Sequence, residues 1–252
     1  MQWKDIDLGS SSAKQTSPNG MVVACLGASD TKGEVSYDWV ADLQSRPQNA
    51  PIRFVNLGVG GDLAYNALKR LPQVIQCRPN KVIVLIGGND IVAAVDPTMR
   101  RLYGPWKHLP QAPSPKWYEE NLRQIVSRLK SETTARVALC SFPVIGEDPG
   151  SEANRYIGEY NAIIKQIARE ENVIYIPFYE RLHEQIVASP GRAFTGSVFL
   201  SMCRAAFKIL VLHKNLDEVG EQDGWRFHVE GLHLNSRGGK ILADLVQEFV
   251  AA

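Results

Sequence analysis

Cysteine is scarce in this chain of 252 residues: Cys25, Cys77, Cys140 and Cys203 lie far apart and form no C-x-x-C pair. That spacing argues against a zinc site and against the bridges of a small secreted scaffold. It leaves free thiols, of which Cys25 and Cys140 fall in apolar runs and read as small buried hydrophobes. A reducing, cytoplasmic compartment is the expectation. Charge of one sign is missing as well. With 28 basic and 27 acidic side chains the formal net charge is +1, so no field draws in nucleic acid or an anionic membrane. A small, largely uncharged substrate is the expected partner. Long apolar runs are also absent. The first twenty residues are polar and contain no apolar stretch of the kind a secretory leader needs. The most apolar segment, 197 to 213, includes Arg204 and Lys208 and is shorter than the ~20 residues of a membrane span.

Residues 1 to 20, rich in Ser, Lys, Asn and Gly, show no period and read as a mobile N-terminal arm. Met21 then opens what reads as a single domain over 21 to 252, a length compatible with one large core. Apolar runs of strand length alternate there with segments of helical period, the mark of a parallel sheet covered on both faces. Strands are predicted near 21 to 27, 52 to 57, 81 to 87, 136 to 141 and 173 to 176. Helices are predicted over 35 to 46, 62 to 77, 115 to 131, 152 to 171 and 236 to 251. With right-handed crossovers this makes a three-layer α/β/α sandwich around a five-stranded, flavodoxin-like parallel sheet. Two segments break the rhythm. Residues 91 to 116 carry five prolines beside Tyr103 and Trp106 and read as a long loop walling a cleft. Segment 197 to 213 reads as a buried packing helix, with a cap over the site or a homodimer surface as the alternatives.

Four short motifs carry the chemistry: Gly27-Ala28-Ser29-Asp30, Gly60-Gly61-Asp62, Gly87-Gly88-Asn89-Asp90 and Glu230-Gly231-Leu232-His233. The first three each follow a predicted strand, where reacting groups converge in an open parallel sheet. A serine hydroxyl needs an adjacent base to become a nucleophile, and of the five histidines His233, just before the last helix, is best placed to serve Ser29. Glu230, three residues earlier, can curl back onto Nδ1 and leave Nε2 for the serine. His228, paired with Asp223, is the competing base. Backbone N–H groups of Ser29 and Gly61 and the side-chain amide of Asn89 are candidate donors to an oxyanion. Taken singly, these motifs are ordinary turns and caps; their order along the chain is what carries the reading.

At these residues the chain resembles the SGNH hydrolases, the GDSL-type esterases and lipases, whose four blocks are matched in order by Ser29, Gly61, Asn89 and His233. The resemblance implies ester hydrolysis through an acyl-serine intermediate, with Ser29, His233 and Glu230 as the catalytic group and Ser29, Gly61 and Asn89 as the oxyanion hole. No cofactor and no metal are implied. Two positions depart from the pattern. Ala28 stands where the family often has Asp, which takes a carboxylate away from the nucleophile, and Glu230 stands where it usually has Asp. A carbohydrate O-deacetylase or a thioesterase would fit the same scaffold. A nucleotide-binding module fits poorly, since Gly58-Val59-Gly60 is followed by Leu63 where a third small residue is needed. A non-catalytic carbohydrate-binding relative is disfavoured by the presence of Ser29, Asn89 and His233 together.

Overall fold

The computed structural model describes residues 20–252, so the expected mobile arm lies, Gly20 apart, outside the described residues. Five parallel strands form the sheet, β1 Val22–Gly27, β2 Arg53–Gly58, β3 Lys81–Leu85, β4 Arg136–Cys140 and β5 Ile174–Ile176, in the order β2-β1-β3-β4-β5. Each lies within two residues of its predicted bounds. β3 is buried along its whole length and β1 in all but its first residue, as expected of strands covered on both faces.

The helices are α1 Ser29–Lys32, α2 Trp39–Ser45, α3 Ala64–Lys69, α4 Leu71–Gln76, α5 Gly88–Val95, α6 Pro97–Trp106, α7 Pro115–Glu132, α8 Glu152–Glu170, α9 Phe178–Ala188, α10 Val198–Ala206, α11 Leu216–Gln222 and α12 Ser236–Ala251. One layer is built from α2, α9 and α12, which pack on one another, and the other from α3, α4, α7 and α8. Among the described residues no helix is long and apolar enough to cross a membrane.

Register is what aims the strands at one place. Gly27 pairs with Gly58 on one side and Leu85 on the other, so β1, β2 and β3 end level and their following loops emerge at one rim. The chain passes from β1 to β2 on one side and then crosses to β3 on the other, so the crevice between β1 and β3 is the topological switch point of the sheet. Ser29 follows one of these strands and Asn89 the other.

Three expectations are corrected. Residues 91 to 116 are mostly helical, because two of their prolines start helices rather than breaking them: Asp96 accepts from Thr98 N and Met99 N with Pro97 in the first turn of α6, and Ser114 accepts from Trp117 N with Pro115 in the first turn of α7. A proline lacks only an N–H that the first turn does not use. The predicted helix over 62 to 77 is two helices, with Pro72 in the first turn of the second. The segment 197 to 213 is a helix that runs into a π-turn at Phe207–Val211, and it is not buried. Phe199, Leu200, Phe207, Leu210, Val211 and Leu212 are 41 to 66 % exposed, while Val198 and Met202 on the inner side pack toward α5 and α6.

Candidate active site

Ser29 opens the single turn of α1 with Ala28 at the capping position. Its hydroxyl is therefore not spent on capping, and Oγ lies 2.8 Å from His233 Nε2, although 204 residues separate the two along the chain. On the far side of the ring, Glu230 Oε1 contacts His233 Nδ1. Asn89, in the first turn of α5, donates from Nδ2 to the Asp62 carbonyl at 2.9 Å, which ties the third motif to the second. Gly61 has φ +77, and a Cβ there would lie 2.4 Å from Trp106 Cη2. Only glycine fits that combination of left-handed backbone and close approach. Ser29, Asn89 and His233 line one small pocket with Val92, Phe142, Ile145, Met202 and Leu232.

His233 is held from several directions. The backbone N–H of Leu234 donates to Ser36 Oγ at 3.0 Å and Tyr37 N donates to the Leu234 carbonyl at 2.8 Å. Asn235 caps α12, accepting from Arg237 N and Gly238 N. From below, Gly146 N donates to the Gly231 carbonyl at 2.7 Å. Beside that bond sits Glu147, whose side chain is wholly buried. Its Oε1 accepts from Arg226 N at 2.7 Å and Phe227 N at 2.8 Å and faces His228 Nδ1 at 3.4 Å, and its Oε2 accepts from Arg226 Nε at 3.2 Å.

The electrostatics follow from burial and these contacts. Burial alone would push the His233 imidazole down, but the Glu230 carboxylate, through its charge and its hydrogen bond, and the nearby Asp30 outweigh it and hold the ring at about 9. Asp30 is itself buried and raised, chiefly by desolvation, with His233 and the Ser36 hydroxyl, 2.7 Å from Oδ1, pulling the other way. Burial would raise Glu147, yet the donors from His228, Phe227 and Arg226 hold it at about 2. Asp90 goes the opposite way: desolvation raises it to about 7, against the 3.0 Å hydrogen bond from Ala64 N.

A model of the GDSL-like Lipase/Acylhydrolase family matches residues 22–241. The chain belongs to that family. Among curated relatives of this GDSL-like chain, thioesterase 1/protease 1/lysophospholipase L1 of Escherichia coli (strain K12) is 28% identical over 145 residues, 57% of this chain and 58% of the relative. An acetylxylan esterase of Geobacillus stearothermophilus is 30% identical over 148 residues, 57% of this chain and 62% of the relative. The chain thus matches less than two thirds of the length of either. Among solved structures, an acetylxylan esterase from Geobacillus stearothermophilus superposes with a TM-score of 0.65 at 19% identity, covering 92% of this chain and 95% of that one. An acetyl xylan esterase described as AlAXEase gives 0.62 at 18%, covering 91% and 100%. At such identities the likeness is one of fold.

Several sequence expectations change at the site of this GDSL-like chain. The competing pair His228 and Asp223 is not formed: His228 is buried against Glu147 and the Val144 carbonyl, 3.0 Å from Nε2, while Asp223 binds Arg204 and Lys208. On the other side of the serine, Asp30 is buried and accepts from the Ser36 hydroxyl at 2.7 Å. Tyr103, read with Trp106 as part of the loop walling a cleft, does not line the pocket, since it is fully buried. Trp106 rims Gly61 instead. The hub at Glu147 went unseen, since a lone glutamate in Gly146-Glu147-Asp148-Pro149 looks like any acidic turn.

Proposed function

We propose that this chain is a serine esterase acting on small-molecule esters, with Ser29 as nucleophile, His233 as base, Glu230 as the carboxylate that orients it, and an oxyanion hole made by the N–H groups of Ser29 and Gly61 and the amide of Asn89. The observation that carries the reading is the hydrogen-bonded line from Glu230 through His233 to Ser29 Oγ. The neutral imidazole takes the hydroxyl proton on Nε2 as Oγ bonds to the ester carbonyl carbon, and the carbonyl oxygen gains the negative charge that the three donors face. When that intermediate collapses, the bond to the alcohol oxygen breaks and Nε2 returns the proton to it. A water then repeats the cycle on the acyl-serine and releases the acid.

The space at Ser29 favours a short acyl group. The pocket has a volume of about 30 Å³, about one water's share of liquid volume, and Val92, Phe142, Ile145, Met202 and Leu232 close around it. Beyond Ile145 opens a cavity of about 540 Å³ lined by Asp96, Thr98, Tyr156, Phe194 and Ser197 among others. That roomy neighbour mixes apolar side chains with the hydrogen-bonding groups of Asp96, Thr98, Glu152, Tyr156 and Ser197, which suits the ring faces and hydroxyls of a sugar, so an acetylated carbohydrate is the second reading, in keeping with what the acetylxylan esterase relatives are named for. The name of the Escherichia coli relative brings thioesters in as a substrate class for comparison.

The decisive experiment is labelling with a fluorophosphonate together with hydrolysis of p-nitrophenyl esters from acetate to palmitate, thioesters and acetylated sugars. Ser29→Ala should lose both the label and turnover with its fold intact, and acetate should be cleaved faster than palmitate. Residual parent rates in that variant would remove Ser29 from the mechanism. The cytoplasmic assignment rests on the four free cysteines. For the exposed outer face of α10 and its π-turn we propose a second copy of the chain. Sedimentation should then show a dimer that Leu210→Asp dissociates, and a monomeric parent chain would refute it.

A further inference from the structure

Asn89 offers two ends that differ only by oxygen and nitrogen, and an oxyanion hole needs the nitrogen end turned inward. One constraint is the Asp62 carbonyl, which can only accept, and which receives Asn89 Nδ2 at 2.9 Å. A flipped amide would set two oxygens against each other there. The second constraint comes from α6. The hydroxyl of Tyr103 donates to Asn89 Oδ1 at 2.5 Å, from a side chain that is wholly out of solvent, so no water stands in for it. Burial pushes the phenol well above its ordinary value, so at neutral pH it keeps its proton and donates.

The same helix also braces the second donor loop. The Trp106 ring stacks on Tyr103, with centroids 5.7 Å apart and planes 13° off parallel, and covers Gly61 at the distance where a Cβ would collide. Lys107, the next residue, binds Asp62 Oδ1 at 2.7 Å and the Gly60 carbonyl at 3.0 Å. Arg70 holds the other Asp62 oxygen at 2.6 Å and the Gly27 carbonyl at 2.7 Å. A single short helix thus touches two of the three candidate donors, Asn89 through Tyr103 and the Gly61 turn through Trp106.

Resting on the oxyanion-hole reading above, we propose that Tyr103 is a positioning residue of that hole: its hydroxyl, donated to Asn89 Oδ1, holds the carboxamide with one N–H on the Asp62 carbonyl and the other turned toward the reacting carbonyl oxygen. A hydrogen bond donated to an amide oxygen also polarises the amide and strengthens its remaining N–H as a donor. The aromatic stack with Trp106 needs only the ring, so the role of the hydroxyl separates cleanly from packing.

The test uses the full chain with p-nitrophenyl acetate and compares the parent with Tyr103→Phe, Asn89→Ala and the double variant. Tyr103→Phe should keep the near-ultraviolet circular dichroism of the parent and its KM within about twofold, while kcat falls about tenfold or more, in the range of a weakened oxyanion donor. The double variant should be no slower than Asn89→Ala alone, since the hydroxyl acts only through that amide. Affinity for a boronic acid, which mimics the tetrahedral species, should fall by the same factor as kcat. An unchanged kcat in Tyr103→Phe, or losses that multiply in the double variant, would overturn the role of Tyr103 while leaving the hole itself in place. Parent-like kcat in Asn89→Ala would overturn both.

Discussion

At the scale of single residues, the exchange of the usual Asp for Glu230 has a chemical cost and a kinetic signature. The longer side chain reaches His233 Nδ1 with Oε1, but its Oε2 is buried without a hydrogen-bond partner. Burial pushes the His233 ring down, but the Glu230 carboxylate, its hydrogen bond to Nδ1 and the nearby Asp30 move it up, to about 9. Only the neutral ring can accept the Ser29 proton. The active fraction therefore grows as pH rises, by about tenfold per unit until it levels near the ionisation of the ring. We expect kcat/KM for p-nitrophenyl acetate to climb from pH 6 and to level off only above about pH 9. Glu230→Gln removes the main raising influence while burial continues to push the ring down, so its limb should move to lower pH. A parent profile already flat at pH 6.5 would contradict this account. The placement of Ser29 and Asn89 was legible in the sequence because each motif follows a strand, and that of His233 because its motif stands just before the last helix. The pairing of Asp30 with the Ser36 hydroxyl was not legible, because it depends on how the chain folds back after α1.

At the scale of elements, the histidine proposed as the base is carried on a loop, and a loop is only as precise as what ties it down. Glu147 does much of that tying, by joining the segment after β4 to Arg226, Phe227 and His228 just before the loop. Removing the charge would leave buried donors short of an acceptor, and breaking such a set typically costs about 3 kcal/mol. Glu147→Gln should therefore lower Tm at neutral pH and reduce kcat with little change in the pH of the His233 limb. The carboxylate is held at about 2, so its contribution is present above the unfolded value near 4.5 and is lost as pH falls toward 2. The Tm values of parent and variant should then converge on acidification; a constant gap would show that the loss comes from packing alone. Periodicity could not have revealed this hub, since it arises from contacts 79 to 81 residues apart. The helices α5 and α6 escaped for a different reason. Pro97 was weighed as a breaker, although a proline behind a capping Asp is as good a start signal as any. The outer face of α10 misled in the same way, because an apolar period says which residues share a face and not whether anything covers it.

At the scale of the molecule, the site is a product of topology: parts far apart in sequence meet only because β1 lies between β2 and β3 and all three end level. Alternating apolar runs made that arrangement legible, whereas the charges that the fold must bury to support it were not. Those charges set how stability responds to pH. Between about 2 and 4.5 Glu147 adds stability as pH rises, because the unfolded chain binds the proton more tightly. Asp90 acts in the opposite sense. Its folded value near 7 exceeds the ordinary 3.8, so its favourable contribution is full below 3.8 and is lost as pH rises through 7. His233 continues the trend, its contribution being full below 6.5 and lost as pH rises through about 9. Together these place the greatest thermal stability near pH 5, with Tm falling toward pH 9, which thermal scans across that range would check. Asp90→Asn removes the ionisation while keeping an oxygen for the Ala64 N–H, so its Tm should hold level from pH 4 to 7 where that of the parent declines. If parent and variant decline in parallel, the buried carboxyl after Asn89 is not the group that sets the slope.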